Sequence, residues 1–467
     1  MRHLLLCASI LPVLAAGPAM AQPKTLQNAL SAAYSNNPTL QTARAQLRAT
    51  DELVPQALAG WRPTVVIASG IGFAAGDVTQ QRAGFNGQNT STTTRNNRDF
   101  NTNQVTLTQP VYRGGATRAG TNQADNRVFA QRGRLIATEQ TVFTNVVNAY
   151  VNVIQTQQVL QLNINNEQVL ARQLQATNDR FRVGEITRTD VAQAEAALAG
   201  ARATRQTSEG NLQTARGTYR QFVGELPEQL IEPQPLKLPV RNQAEAVQLA
   251  SQNNPNVIAA LFDDAAARDN IDVQFAALMP QLSVQASGAR TDGQQTAGLS
   301  ANSATVVLNA SIPIYQGGAE YSRVRQARQQ QQQSRRTVDD VRRQAVQQAT
   351  QAWETLTSSR STIESTRAQI RANQIALEGV QREAIVGSRT TLDVLNAEQA
   401  LLNSRVTLVQ NLAAYINASY SVAAAIGRLT ARDLSLNVPM YDETAYYNAV
   451  RQKLFGTGDY ATSQPGR

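Results

Sequence analysis

The sequence predicts an α+β membrane protein: long antiparallel coiled-coil helices continuing a transmembrane β-barrel that no single chain can close. Three observations carry that reading. The chain is an internal duplication. Each copy holds two strands of about ten residues with strict two-residue alternation. Each copy then runs without proline through a heptad-phased segment far longer than an ordinary globular helix.

The first residues set the compartment. Arg2 precedes an apolar run over 4–16 that ends in Ala19-Met20-Ala21, the pattern of a secretory signal peptide over 1–21 with Gln22 following cleavage. Acylation at Cys7 is the competing reading of the same segment. His3 and Cys7 are the only histidine and cysteine of the 467 residues, so cleavage leaves neither. Thiol nucleophiles, imidazole bases, disulfides and His- or Cys-ligated metals are thereby excluded, and no metal or cofactor is expected. The net charge of +9 comes from 43 basic residues spread along the chain without a block or an aromatic stripe, which argues against nucleic acid. After the leader no run reaches about eighteen apolar residues, so membrane entry has to be by strands.

The duplication is explicit. Residues 29–40 (ALSAAYSNNPTL) match 246–257 (AVQLASQNNPNV) at an offset of 217, which holds to Pro63 and Pro280 and falls to 203 at Pro110 and Pro313. The lost residues fall in one loop. The first repeat covers 22–227, a Pro-rich linker 228–242, the second repeat 243–430, and a C-terminal segment 431–467.

In copy one the strands are read at about 63–74 and 103–112. Val65, Ile67, Ile71 and Phe73 alternate with small residues, and Val105, Leu107 and Val111 with Gln104, Thr106 and Thr108. The Asn-, Thr- and Gly-rich stretch 76–102 between them reads as a long extracellular loop. In copy two the strands fall at about 280–288 and 303–315, with Leu282, Val284, Val306, Leu308 and Ile312 on one face and Ser283, Gln285, Thr305 and Asn309 on the other. Trp61, Tyr112 and Tyr315 stand at strand ends, where an interfacial aromatic belt is expected.

Each second strand runs into a Pro-x-Tyr-x-Gly-Gly junction: Pro110, Tyr112, Gly114, Gly115 and Pro313, Tyr315, Gly317, Gly318. Long helices follow over about 115–183 and 318–386, with return helices over 188–223 and 391–427. The seam keeps a seven-residue beat through Ala349, Leu356, Ile363, Ile370, Leu377 and Ala384, and through Val146, Val153, Leu160, Leu174 and Phe181, with Glu167 breaking it. Such helices reach roughly 100 Å. At the turns, Gly184 and Gly387 read as helix-ending glycines, and Thr187-x-x-Asp190 and Thr390-x-x-Asp393 as capping boxes. One chain supplies four strands. Open edges are not tolerated in lipid, so two, three or four chains must join to give about 8, 12 or 16 strands.

On the paired Asn-Asn-Pro starts (Asn36, Asn37, Pro38; Asn253, Asn254, Pro255), the two Pro-x-Tyr-x-Gly-Gly junctions and the turn VGSRTTLDVLNA over 386–397, the chain resembles the TolC family of outer-membrane efflux and type I secretion proteins over nearly all its length. Residues 438–451 are similar to the type I secretion branch. The resemblance implies a homotrimer with one twelve-stranded barrel in outer-membrane lipid and a periplasmic α-barrel. It implies a passive exit duct that meets a periplasmic adaptor and an inner-membrane transporter of the ABC or RND type. It further implies that the tip residues Val183, Gly184, Thr187, Val386, Gly387, Thr390 and Leu392 dock the adaptor. Thr189 and Asp190 would bond Arg389 of a neighbouring copy to hold the entrance closed, and Asp393 would form an acidic ring. Ala384 and Asn396 depart from the family pattern, standing where the best-known members carry a gate tyrosine and a second ring aspartate.

Two other readings compete. A periplasmic adaptor also has a long helical hairpin, but one copy of it. A carboxylate hydrolase could use Glu185, Asp190, Glu195, Asp393 and Glu398, yet the repeat accounts for their pairing and no nucleophile motif accompanies them.

Overall fold

The computed structural model describes residues 24–83, 87–294, 298–458 and 460; the segment read as a signal peptide lies outside them. In chain order the elements are α1 (Leu26–Asn36), α2 (Pro38–Asp51), α3 (Leu53–Leu58), β1 (Thr64–Ala74), β2 (Asp77–Ala83), β3 (Asn89–Arg95), β4 (Arg98–Arg113), α4 (Ala116–Arg182), α5 (Arg188–Val223), α6 (Gln243–Asn253), α7 (Pro255–Phe275), β5 (Gln281–Asp292), β6 (Ser300–Ser311), α8 (Ala319–Ile385), α9 (Thr391–Ala425) and α10 (Ala445–Val450). Short 3₁₀ turns precede β1 and β5. Among the described residues no helix is long and apolar enough to cross a membrane. The chain divides into two compact units, each drawn from three stretches of sequence.

One unit takes residues up to 38, 139–246 and 349–438. Its interior is anchored by aromatic side chains: Tyr34 against Phe143 (6.2 Å between centroids) and Tyr150 against Tyr219 (6.3 Å). The Pro-rich linker is tied down here. The Tyr150 hydroxyl donates to the Ile231 carbonyl (2.6 Å), Lys24 N–H donates to Gln229 O (2.9 Å), and Leu236 N–H donates to the Ser419 hydroxyl (3.0 Å).

Polar pairs punctuate the seams of both hairpins. Asn163 of α4 donates to Ser208 of α5 at 2.7 Å, and both are buried. In copy two the equivalent positions carry Thr366 and Asn411, joined at 3.0 Å with amide and hydroxyl exchanged between the helices. Glu167, which breaks the heptad, accepts from Arg205 (3.0 Å) and pairs with Arg202 (3.4 Å), both on α5. In copy two the positions of Glu167, Arg205 and Arg202 carry Ile370, Leu408 and Arg405. A half-buried carboxylate thus has its partners on the facing helix, which offsets the cost of its partial desolvation.

The other unit takes 39–138, 247–348 and 439 onward. It carries a four-stranded antiparallel sheet in the order β1-β4-β5-β6. The register aligns Val65, Leu107, Ala286 and Val306 in one row and Ile67, Val105, Gly288 and Ala304 in the next. The opposite face carries Thr106, Ser287 and Thr305, then Gln104 and Ser303. One face is apolar, the other hydroxyl- and amide-rich, because side chains alternate along each strand.

Three sequence expectations are corrected here. The stretch 76–102 is not simply a loop: β2 and β3 form a separate hairpin within it, with Thr79 and Thr93 hydroxyls paired at 2.9 Å. Both faces of that hairpin are polar, so alternation gave no contrast, although threonine favours strands. The strand read to 315 stops at Ser311, two residues before Pro313, which has no amide to give a ladder. Finally, a bulge between Pro110 and Tyr112 makes Val111 the extra residue and puts Tyr112 opposite Leu282. Tyr112 therefore joins the apolar face, where strict alternation had placed Val111.

Beside the sheet, the C-terminal segment is held to α2, α3 and α4 by an aromatic and charged cluster. Tyr446 donates to Glu52 (2.9 Å) and Tyr447 to Asp125 (2.7 Å), the Arg132 guanidinium lies 5.4 Å from the rings of both Phe129 and Tyr447, and Arg44 lies over Tyr441. At its centre Asp51 is wholly buried with neither carboxylate oxygen hydrogen-bonded, facing Arg132, Arg48, Glu52 and Glu443. Burial pushes its pKa from 3.8 up to about 7 against the pull of Arg132. The folded chain holds a proton on Asp51 where the unfolded chain has lost it, so stability falls as pH rises from about 4 to about 7 and levels off above. Asp51→Asn is expected to remove this decline; melting curves between pH 5 and 8 should show the variant gaining on the parent as pH rises.

Candidate functional site

The two helical turns are built alike, from sequence up. α4 ends in a left-handed Gly184 (φ 79°), with Gly184 N–H donating to Phe181 O and Glu185 N–H to Arg180 O, each at 3.0 Å. α8 ends in Gly387 (φ 79°), with Gly387 N–H donating to Ala384 O (3.3 Å) and Ser388 N–H to Glu383 O (3.0 Å). This paired closure satisfies the last carbonyls, and a side chain at either glycine would be strained. The return helices open on full capping boxes. Asp190 N–H donates to the Thr187 hydroxyl (3.3 Å) while Thr187 N–H and hydroxyl donate back to the Asp190 carboxylate (3.0 and 2.7 Å). Thr390 and Asp393 repeat this at 3.3, 3.0 and 2.8 Å.

The charges of the two turns differ. In turn one Arg180 pairs with Glu185 (2.9 Å); in turn two the position equivalent to Arg180 is Glu383, which pairs with Arg389 at 2.8 Å. Among the described residues of one chain, Arg389 meets neither Thr189 nor Asp190, and each ion pair stays within its own turn. Hydrogen bonds from Thr187 hold the Asp190 carboxyl below the usual range, and those from Thr390 do the same for Asp393. Thr189 and Asn396 are exposed, while Ala384 is buried. Val183 and Val386 are each 78 % exposed and Ile385 79 %, with Leu392 also open. Behind the turns Leu170 and Leu174 of α4, Leu198 and Ala201 of α5 and Leu395 of α9 form one apolar cluster. The Arg180–Glu185 and Glu383–Arg389 pairs were missed in the sequence, although their i,i+5 and i,i+6 spacings across a glycine turn are a usable signal.

At the junctions, Gly114 (φ 62°) leaves no room for a side chain: a Cβ there would stand 2.5 Å from Ala276 O. Gly115, Gly317 and Gly318 share the positive φ in open space. Pro110 and Tyr112 lie in β4, whereas Pro313 and Tyr315 lie past the end of β6. Among the described residues no three or more acidic, histidine or cysteine side chains gather to hold a metal ion.

A sheet with one apolar and one hydroxyl-rich face can pass solutes along its polar side. The sequence model of the outer membrane efflux protein family matches residues 29–225 and 246–428, the two copies in turn. The chain belongs to the outer membrane efflux protein family. It is 34 % identical over 434 residues to the outer membrane efflux protein BepC of Brucella suis, covering 93 % of this chain and 92 % of that one. It is 25 % identical over 437 residues to the outer membrane protein TolC of Escherichia coli, covering 89 % and 84 %. Among solved structures, the outer membrane protein VceC of Vibrio cholerae superposes with a TM-score of 0.73 at 20 % identity, covering 86 % and 96 %. The fold class read from the sequence, long helices with a transmembrane β-barrel, is that of these channels, and the protein is an outer-membrane efflux channel with a periplasmic extension. The adaptor reading is set aside, since the family match runs through both repeats.

In this family setting the apolar sheet face meets lipid and the Thr-, Ser- and Gln-bearing face lines the passage. Thr390→Ala is expected to speed amide exchange at 391–393 roughly fivefold by removing the cap. For Asp393→Asn, the difference from the parent at neutral pH should narrow as pH falls through the depressed pKa of Asp393, below 3.8.

Proposed function

We propose that the chain is one third of a passive, gated exit duct whose twelve-stranded barrel forms from three copies. A periplasmic adaptor would meet the helical turns, and an inner-membrane ABC or RND-type transporter would supply the driving energy. The observation that carries this reading is the sheet itself. β1 and β6 are edge strands, each with one side unpaired among the described residues, and hydrocarbon leaves an unpaired backbone edge no water to bond, at several kcal/mol per group. Joining β6 of one copy to β1 of the next removes every edge.

The turns are the entrance. Val183, Val386, Ile385 and Leu392 are the apolar surface that an adaptor would cover, with Gly184, Thr187, Gly387 and Thr390 fixing its shape. Arg389 engages Glu383 through Nε alone, leaving its two terminal nitrogens for Thr189 and Asp190 of a neighbouring copy, a geometry suited to a guanidinium. Exposed pairs of this kind are weak singly and screened by salt, so they make a latch that a partner can release. Asp393 contributes a carboxylate ring at the constriction, with Asn396 neutral beside it.

Single-channel recording in a planar bilayer tests the gate. Arg389→Ala is expected to raise the conductance of the closed state, and high salt to act in the same direction on the parent. An unchanged closed state in the variant would remove Arg389 from the gate. The trimer is read separately, as an unheated electrophoretic band of three chain masses that collapses on boiling.

A further inference from the structure

The lipid-facing side of the sheet is apolar from its helix-proximal end upward. Its rows are Tyr112, Leu282 and Ala310; then Gln109, Val284 and Leu308; then Val65, Leu107, Ala286 and Val306; then Ile67, Val105, Gly288 and Ala304. The next row is different: Ser69, Asn103, Arg290 and Asn302. Among the described residues Arg290 is the one basic side chain on this face of the four strands, since Arg98 and Arg113 point to the other face by their pairing with Ala74 and Gln281. Farther out on the same face stand Asp292 and Asp99 on the inner strands, with Ile71 and Phe73 on β1.

Height gives the row its meaning. Arg290 is eight residues beyond Leu282, the partner of Tyr112. At about 3.4 Å per residue and a tilt of about 40° it stands roughly 21 Å above that tyrosine, near the outer limit of an apolar band of about 25 Å. β4 leads from Tyr112 into the periplasmic helix α4, so the opposite end of the sheet faces the outer leaflet. The side chain is 64 % exposed, and among the described residues its partner is Asp292, at 3.4 Å through Nε. Both terminal nitrogens are without a partner among the described residues. Ser69 donates to Asn103 (2.7 Å) and Asn103 to Asn101 (3.2 Å), which holds the neighbouring amide in the row. β4 and β5 are the two central strands, so no neighbouring copy can cover Arg290 when edges join.

We propose that Arg290, flanked by Asn103 and Asn302, is a binding site on the outer surface of the barrel for the phosphorylated headgroup of a saccharolipid in the outer leaflet. A guanidinium offers a phosphate two parallel N–H bonds, and a carboxylate on its Nε side orients the fork. At the margin of hydrocarbon an anion also supplies the countercharge that the low-dielectric surroundings demand. Amides to either side suit sugar hydroxyls. The site rests on the outer-membrane placement of the sheet and is independent of how the entrance is gated.

The test is lipid retention by the purified full chain, washed in detergent and weighed by native mass spectrometry after exposure to bisphosphorylated lipid A or to the same lipid stripped of phosphate. The parent should retain the phosphorylated form and not the stripped one. Arg290→Ala should retain roughly tenfold less or lower, the loss expected for a charge-assisted bond, and Arg290→Lys should fall between because it cannot grip in two places. Conductance of the Arg290→Ala protein should equal that of the parent, which separates failure of this site from failure of the duct. Equal retention by Arg290→Ala and parent, or parent retention indifferent to phosphate, would overturn the proposal. Should Arg290→Ala not assemble, the two lipids on the parent and Arg290→Lys still decide it.

Discussion

A β-sheet in hydrocarbon has to pair every backbone amide and carbonyl with another strand, and that requirement governs the rest of this molecule. Four of the six described strands form one sheet, with β1 and β6 at its edges and with one apolar and one hydroxyl-rich face. The duplication is the economical source of such a sheet: each copy contributes a strand pair, and β4 to β5 joins the copies. From the same demand follows the need for further copies. The junctions then have to turn each strand into a helix without leaving backbone groups open, which Gly114 and Gly115 do in copy one and Gly317 and Gly318 in copy two.

Much of this was legible in the sequence because it is periodic. Heptads over α4 and α8 and alternation in β1, β5 and β6 survive without tertiary information, since burial on one face writes them directly. Even the lapse at Glu167 has a physical reading, as its arginine partners are one helix away. What was not legible is what depends on distant or contrast-free contacts. The β2–β3 hairpin is polar on both faces, so no pattern marked it. The bulge at Val111 is one residue of slippage that only the partner strand fixes, and it moves Tyr112 from one face to the other. Asp51 reads as an ordinary helical carboxylate until burial beside Arg132, Glu52 and Glu443 raises its pKa.

The turns were legible as local structure and only in part as a site. Capping boxes and helix-ending glycines are short-range, so Thr187, Asp190, Thr390 and Asp393 announce themselves. The charge inversion between Arg180 and Glu383 is easier to miss, because it shows only when the two copies are aligned at the offset of 203 residues.

The divergence of the two copies carries a consequence for folding fidelity. Descended from one ancestor, the hairpins risk exchanging partners, with the outgoing helix of one zipping onto the returning helix of the other. Such a mismatch would set the amide of Asn163 against that of Asn411, put the hydroxyls of Thr366 and Ser208 face to face, and bring Glu167 up to Leu408 in place of Arg205, leaving it Arg405 alone where it now has two arginines. The interchanged Asn–Ser and Thr–Asn layers therefore act as a self-recognition code, written where a uniform apolar seam would accept either mate.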